Sequence, residues 1–190
     1  MLCATTGDFD SDGYDDLIVC GSESHTFRVY DNSGGNWSDV TTAVGMATWN
    51  RRDAELADLN GDRKSDLVTV TQTGLEVRLN VDGRFPTISY SRPLTDGRDV
   101  AIGDADGDGD QDIYVCQGTN ATVPDLLLLN RGSGARYENF SGLPQVATGE
   151  GDKAEAIPNW KGTDRAAFIV NNGWAYPEPG PRQLIELVDR

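Results

Sequence analysis

A 13-residue acidic segment occurs three times at nearly constant spacing, and no other feature limits the possible folds so sharply. Gly7-Asp8-Phe9-Asp10-Ser11-Asp12-Gly13-Tyr14-Asp15-Asp16-Leu17-Ile18-Val19 recurs as Ala57-Asp58-Leu59-Asn60-Gly61-Asp62-Arg63-Lys64-Ser65-Asp66-Leu67-Val68-Thr69. A third copy runs Gly103-Asp104-Ala105-Asp106-Gly107-Asp108-Gly109-Asp110-Gln111-Asp112-Ile113-Tyr114-Val115. The leading aspartates stand at 8, 58 and 104, so the repeat is 50 residues and then 46.

Each copy sits between β-type runs. A short run such as Leu2 to Thr6 precedes the loop and an apolar one such as Leu17 to Cys20 follows it. A third run comes after a Gly/Ser/Asn-rich gap, at Phe27–Tyr30, Leu75–Leu79 and Asp125–Leu129. Turns rich in Asn, Asp and Gly (Asp31 to Gly34, Asn80 to Gly83, Asn130 to Ser133) then lead to fourth runs at Trp37–Val40, Phe85–Tyr90 and Tyr137–Phe140. Four strands per period of about 50 residues is the pattern of a β-propeller blade. The expected fold is therefore all-β, with four-stranded antiparallel blades at about 1–48, 49–96, 97–150 and 151–190. The fourth keeps the strand pattern at Ala154–Ile157, Ala167–Val170 and Gln183–Val188, without a fourth strand, and its loop Pro158 to Arg165 has lost the acidic set. No amphipathic helix is expected.

Asp at positions one, three, five and nine with a carbonyl at seven places hard oxygen donors on one side of a tight loop, as calcium requires. Loop one offers Asp8, Asp10, Asp12, the Tyr14 carbonyl and Asp16; loop three offers Asp104, Asp106, Asp108, the Asp110 carbonyl and Asp112. Both have Gly at position six, Gly13 and Gly109, where a left-handed backbone is expected. Loop two offers Asp58, Asn60, Asp62, the Lys64 carbonyl and Asp66. It has one carboxylate fewer and Arg63 in place of Gly, so it is expected to bind calcium most weakly of the three sites. EF-hands are excluded because position twelve is Val19, Thr69 or Val115, not a bidentate Glu, and lies in a β-type run. One Asp-rich turn reads as easily as a solvated turn, but three in equivalent positions argue for metal.

In these residues the chain resembles the FG-GAP or VCBS repeat family, the blades of integrin α-subunit-like propellers, over nearly its whole length. The segment Tyr30 to Thr41 is especially similar to the turn and outer strand of secreted propellers related to cartilage acidic protein. The resemblance implies structural calcium between strands one and two of each blade, on the face opposite the ligand surface. It also implies a ring of seven blades, of which these residues supply under four; the remaining blades or self-association are expected to cover the open edges.

Charge and motif content narrow the function. Asp and Glu number 31 against 16 Lys and Arg, a formal charge of −15, which argues against nucleic acid or an anionic membrane as partner. No apolar run reaches the length of a membrane span, so no insertion is expected; the first residues lack the pattern of a signal peptide. One His (His25), no Gly-x-Ser-x-Gly elbow and carboxylates already assigned to calcium argue against an enzyme. The expected function is extracellular or cell-surface adhesion, or recognition of a protein or glycan. The alternatives are an accessory, non-catalytic propeller of a secreted polysaccharide-degrading enzyme or hydrolase, and a purely structural spacer. Trp49, Arg51, Arg52, Trp174 and Tyr176 are candidates for the ligand surface, weighed against packing between blades. Cys3, Cys20 and Cys116 are expected mainly as small buried residues, with a Cys3–Cys20 bridge across a hairpin as the alternative. Asn36, Asn120 and Asn139 open glycosylation sequons.

Overall fold

The computed structural model describes residues 2–21, 27–47, 51–118, 123–143, 153–171, 174–175, 178–179 and 182–186. In each repeat the apolar run after the acidic loop folds back on the run before it. The first sheet orders β1 (Leu2–Gly7), β2 (Asp16–Gly21), β3 (Arg28–Ser33) and β4 (Asn36–Asp39) as an antiparallel meander, with Gly7 opposite Asp16 at the mouth of the loop. The second repeats it with β5 (Asp53–Ala57), β6 (Asp66–Val70), β7 (Gly74–Arg78) and β8 (Tyr90–Pro93). The third uses β9 (Gly97–Gly103), β10 (Asp112–Gln117), β11 (Leu126–Asn130) and β12 (Tyr137–Asn139).

The fourth sheet has three strands, β13 (Lys153–Ile157), β14 (Ala167–Asn171) and, after the two-residue hairpin of β15 (Trp174–Ala175) and β16 (Glu178–Pro179), β17 (Arg182–Ile185). A 3₁₀ turn at Trp160–Gly162 stands where the acidic loops stand in the other sheets. The first strands of successive sheets lie side by side, β1 by β5, β5 by β9 and β9 by β13, which is the radial order of propeller blades.

Apolar side chains fill the three junctions. Phe9, Ile18, Phe27, Leu67 and Phe85 pack between blades one and two. Val68, Val77, Val100, Ile113 and Leu128 pack between two and three, and Tyr114, Leu127, Phe168 and Ile185 between three and four. β6 and β10 are buried along their whole length because a blade covers each face, so they read as unbroken apolar runs. β14 has one covered face: Phe168 and Val170 are buried, while Ile169 and its cross-strand partner Leu184 are exposed.

Two expectations need correction. The fourth strand of blade two is Tyr90–Pro93, later than the run at Phe85–Tyr90, because Phe85 leaves the sheet to fill the first junction, 5.8 Å from the Phe9 ring. Cys3 and Cys20 are not merely small buried residues: they stand opposite each other on β1 and β2, Cα atoms 5.0 Å apart, and form a disulfide. Cys116 is buried on β10.

Candidate metal loops

The three loops share one hydrogen-bond scheme. The position-one carboxylate folds the loop around itself: Asp8 Oδ1 accepts from the Ser11 and Asp12 amides and Oδ2 from Gly13. Asp58 accepts from Gly61, Asp62 and Arg63, and Asp104 from Gly107 and Gly109. The position-five side chain does the same two residues on, with Asp12, Asp62 and Asp108 accepting from Tyr14, Lys64 and Asp110. These bonds turn the loop's backbone N–H groups in toward the carboxylates and leave further carboxylate lone pairs to accept a cation.

This winding needs two left-handed residues per loop. Position six, expected to be left-handed, has φ of 94° at Gly13, 67° at Arg63 and 93° at Gly109. Position four is left-handed too, at Ser11, Gly61 and Gly107. Ser11 and Arg63 carry side chains in a region that favours glycine.

Position nine is the most buried. Asp16, Asp66 and Asp112 are fully enclosed, and both oxygens of each accept backbone N–H bonds. Oδ2 takes the position-two amide (Phe9, Leu59, Ala105, at 3.0, 2.9 and 2.7 Å). Oδ1 takes the amide of Asn32, Asn80 or Asn130 at the end of strand three. These residues tie loop to sheet whatever else they bind.

Carboxylate oxygens converge within 4.8 Å in two groups at loop one, Asp8 with Asp10 and Asp16, and Asp10 with Asp12 and Asp31. At loop three the group is Asp104 with Asp106 and Asp108. Among the described residues no such trio forms at loop two, where position three is Asn60. Asp31 was not foreseen as a site residue; the sequence reads it only as the head of a turn, whereas it lies on β3, opposite Ser38 of β4. The Tyr14, Lys64 and Asp110 carbonyls lie in the same turns, and the Lys64 ammonium pairs with Asp82 at 3.2 Å.

The FG-GAP-like repeat profile matches residues 8–69 and 58–115, each span running from one acidic loop through the strand after the next, and together they cover more than half of the chain. The chain belongs to the FG-GAP-like repeat family. No curated protein matches it. Among solved structures, the Photorhabdus luminescens Tc holotoxin pore aligns over 96% of this chain and 9% of its own, at 18% identity and TM-score 0.51. The V. cholerae biofilm matrix protein Bap1 aligns over 97% of this chain and 37% of its own, at 16% identity and TM-score 0.46. The chain thus spans a small part of the first and little over a third of the second, and the toxin likeness speaks to the fold alone.

In these FG-GAP loops the carboxylates are under electrostatic load. Burial, then the Asp12 charge, raises the pKa of Asp10; burial raises that of Asp16 against its two backbone bonds. Burial pushes Asp66 up to about 6 and Asp112 up to about 7. A cation held among these oxygens removes that load. Asp106 Oδ1 is buried without a hydrogen-bond partner, as a donor oxygen awaiting a metal would be. The donor set, all carboxylate, amide and carbonyl oxygen, fits a hard divalent ion.

Arg51 is not on an exposed surface, whereas Arg52 is half-buried. Arg51 is buried, 3.1 Å from Glu76 and over the Phe27 ring, and Arg52 pairs with Asp96 and the Gly97 carbonyl. Trp49, Tyr176, His25 and Asn120 lie outside the described residues, as does the Trp174 side chain.

Proposed function

We propose that this chain is a calcium-binding, non-catalytic FG-GAP propeller module that works outside the cell, with calcium in a structural role and a protein or glycan ligand on the face away from the loops. The observation that carries the calcium assignment is the convergence of carboxylate oxygens at loops one and three, on loops wound by the same hydrogen bonds. Loop one gathers Asp8, Asp10, Asp12, Asp16 and Asp31, and among the described residues no ion pair neutralises any of them. Aspartate is suited to so tight a wrap because its short side chain reaches the centre without a long, mobile stem. The Cys3–Cys20 disulfide supports an oxidising compartment.

Calorimetric titration with calcium, with magnesium as comparison, tests the reading. Three sites are expected in the weak extracellular range, roughly 10⁻⁴ to 10⁻³ M, with loop two the weakest. No binding by calorimetry or equilibrium dialysis at millimolar calcium overturns it. The recognition half is tested by screening glycans and extracellular proteins in calcium and in chelator; a screen without any ligand favours a structural spacer.

A further inference from the structure

We infer that Asn80 and Asn130 couple the metal loops of neighbouring blades, so that calcium in one loop raises the affinity of the next. The inference rests on the calcium reading above and adds a positioning role for two residues that turn formation does not explain.

Both asparagines are buried at the end of a third strand, and both make the same four contacts. The backbone amide of Asn80 donates to Asp66 Oδ1 (2.7 Å) and its Oδ1 accepts from Gly83 (2.9 Å). Its Nδ2 donates to the Ser65 carbonyl of its own loop (2.9 Å) and to the Phe9 carbonyl of loop one (2.7 Å). Asn130 repeats this one blade on: its amide donates to Asp112 (2.8 Å) and its Oδ1 accepts from Gly134 (3.3 Å). Its Nδ2 donates to the Gln111 carbonyl (3.1 Å) and to the Leu59 carbonyl of loop two (2.7 Å). Asn32 makes the bond within its own blade, to the Asp15 carbonyl at 3.0 Å.

The acceptors are placed to transmit order. Phe9 lies between Asp8 and Asp10, and Leu59 between Asp58 and Asn60, so each carbonyl belongs to the peptide chain joining ligand positions one and three. Ser65 and Gln111 lie between positions seven and nine of their loops. One side-chain amide therefore pins the first turn of one loop to the last turn of the next. A metal that orders loop one fixes the Phe9 carbonyl, hence Asn80, hence the Ser65–Asp66 segment, and loop two then loses less freedom when it binds. Loop two, poorest in carboxylates, is held from both sides.

The test uses loop two as the reporter, with loop three silenced throughout by Asp108→Asn. Calcium affinity is measured by calorimetry with loop one intact or silenced by Asp12→Asn, and with Asn80 intact or changed to Ala. Silencing loop one is expected to weaken loop two by about 5-fold or more, the lower limit of the usual coupling range, when Asn80 is present, and by under about 2-fold, below that range, in Asn80→Ala. If loop two ignores loop one with Asn80 intact, the coupling is wrong and the calcium reading stands. If no variant binds calcium, both fall. Should Asn80→Ala fail to fold, hydrogen exchange on the Asp62→Asn protein reads the same link with Asn80 untouched. Calcium at loops one and three is then expected to slow exchange of the Leu59 and Asn80 amides, and unchanged rates overturn the proposal.

Discussion

Arg131 lies across the third acidic loop, its Nη1 3.3 Å from Asp106 and 3.5 Å from Asp108 while Nη2 holds Glu138 at 3.1 Å. The guanidinium occupies ground that a cation in loop three needs, so calcium there must displace it toward Glu138. Arg131→Gln is expected to tighten calcium at loop three by roughly 5-fold, the worth of an exposed ion pair of about 1 kcal/mol. Titrating Arg131→Gln with loops one and two silenced measures it; unchanged or weaker affinity contradicts the competition.

Loop two carries a different burden. Arg63 holds φ of 67° where loops one and three have glycine, a conformation that costs a side-chain-bearing residue about 1 kcal/mol or more. Arg63→Gly is expected to raise the melting temperature in chelator and also to tighten calcium at loop two, since a positive charge leaves with the strain. Thermal unfolding and titration of this one variant check both; a lower melting temperature contradicts the strain argument.

The strands were legible in the sequence because runs such as Leu17-Ile18-Val19 and Leu126 to Leu129 are apolar, and the loops were legible because the repeat puts the same residue types at the same offsets. Asn80 and Asn130 were read only as turn formers, since the carbonyls they bind belong to Phe9 and Leu59 in the preceding blade. Phe85 looked like a strand residue because its apolar character does not say whether it packs within a sheet or between two. Arg51 looked like a surface contact because its partners are distant in sequence, Glu76 on β7 of its own blade and the Phe27 ring of blade one.

Position nine separates architecture from metal binding. Asp112→Ala leaves the buried amides of Ala105 and Asn130 without acceptors, a loss of about 2–6 kcal/mol at about 1–3 kcal/mol for each group. Asp108→Ala, on the exposed rim, removes the bond to the Asp110 amide and the 3.5 Å contact with Arg131. In chelator Asp112→Ala is expected to melt well below the parent and Asp108→Ala close to it, whereas both weaken calcium. Equal melting of the two variants in chelator contradicts this division.

The pH dependence of the metal-free protein has an unusual sign. Burial raises Asp66 to about 6, Asp112 to about 7 and Glu55 to about 7, all above their values in an unfolded chain. Between about pH 4 and pH 7 the fold therefore holds more protons than the unfolded chain, and stability falls as pH rises through that window. The melting temperature in chelator is expected to be higher at pH 5 than at pH 8, with calcium flattening the slope contributed by Asp66 and Asp112. A melting temperature that climbs from pH 5 to pH 8 in chelator contradicts the burial argument.

Calcium dependence of the fold is the central claim, and thermal unfolding at pH 7.5 in 10 mM calcium against excess chelator tests it most directly. Three sites with dissociation constants of roughly 10⁻⁴ to 10⁻³ M, each stabilising the fold by mass action, are expected to raise the melting temperature by on the order of 10 °C. Asp12→Asn with Asp108→Asn is expected to remove most of that rise. Superimposable unfolding curves in calcium and chelator contradict the account.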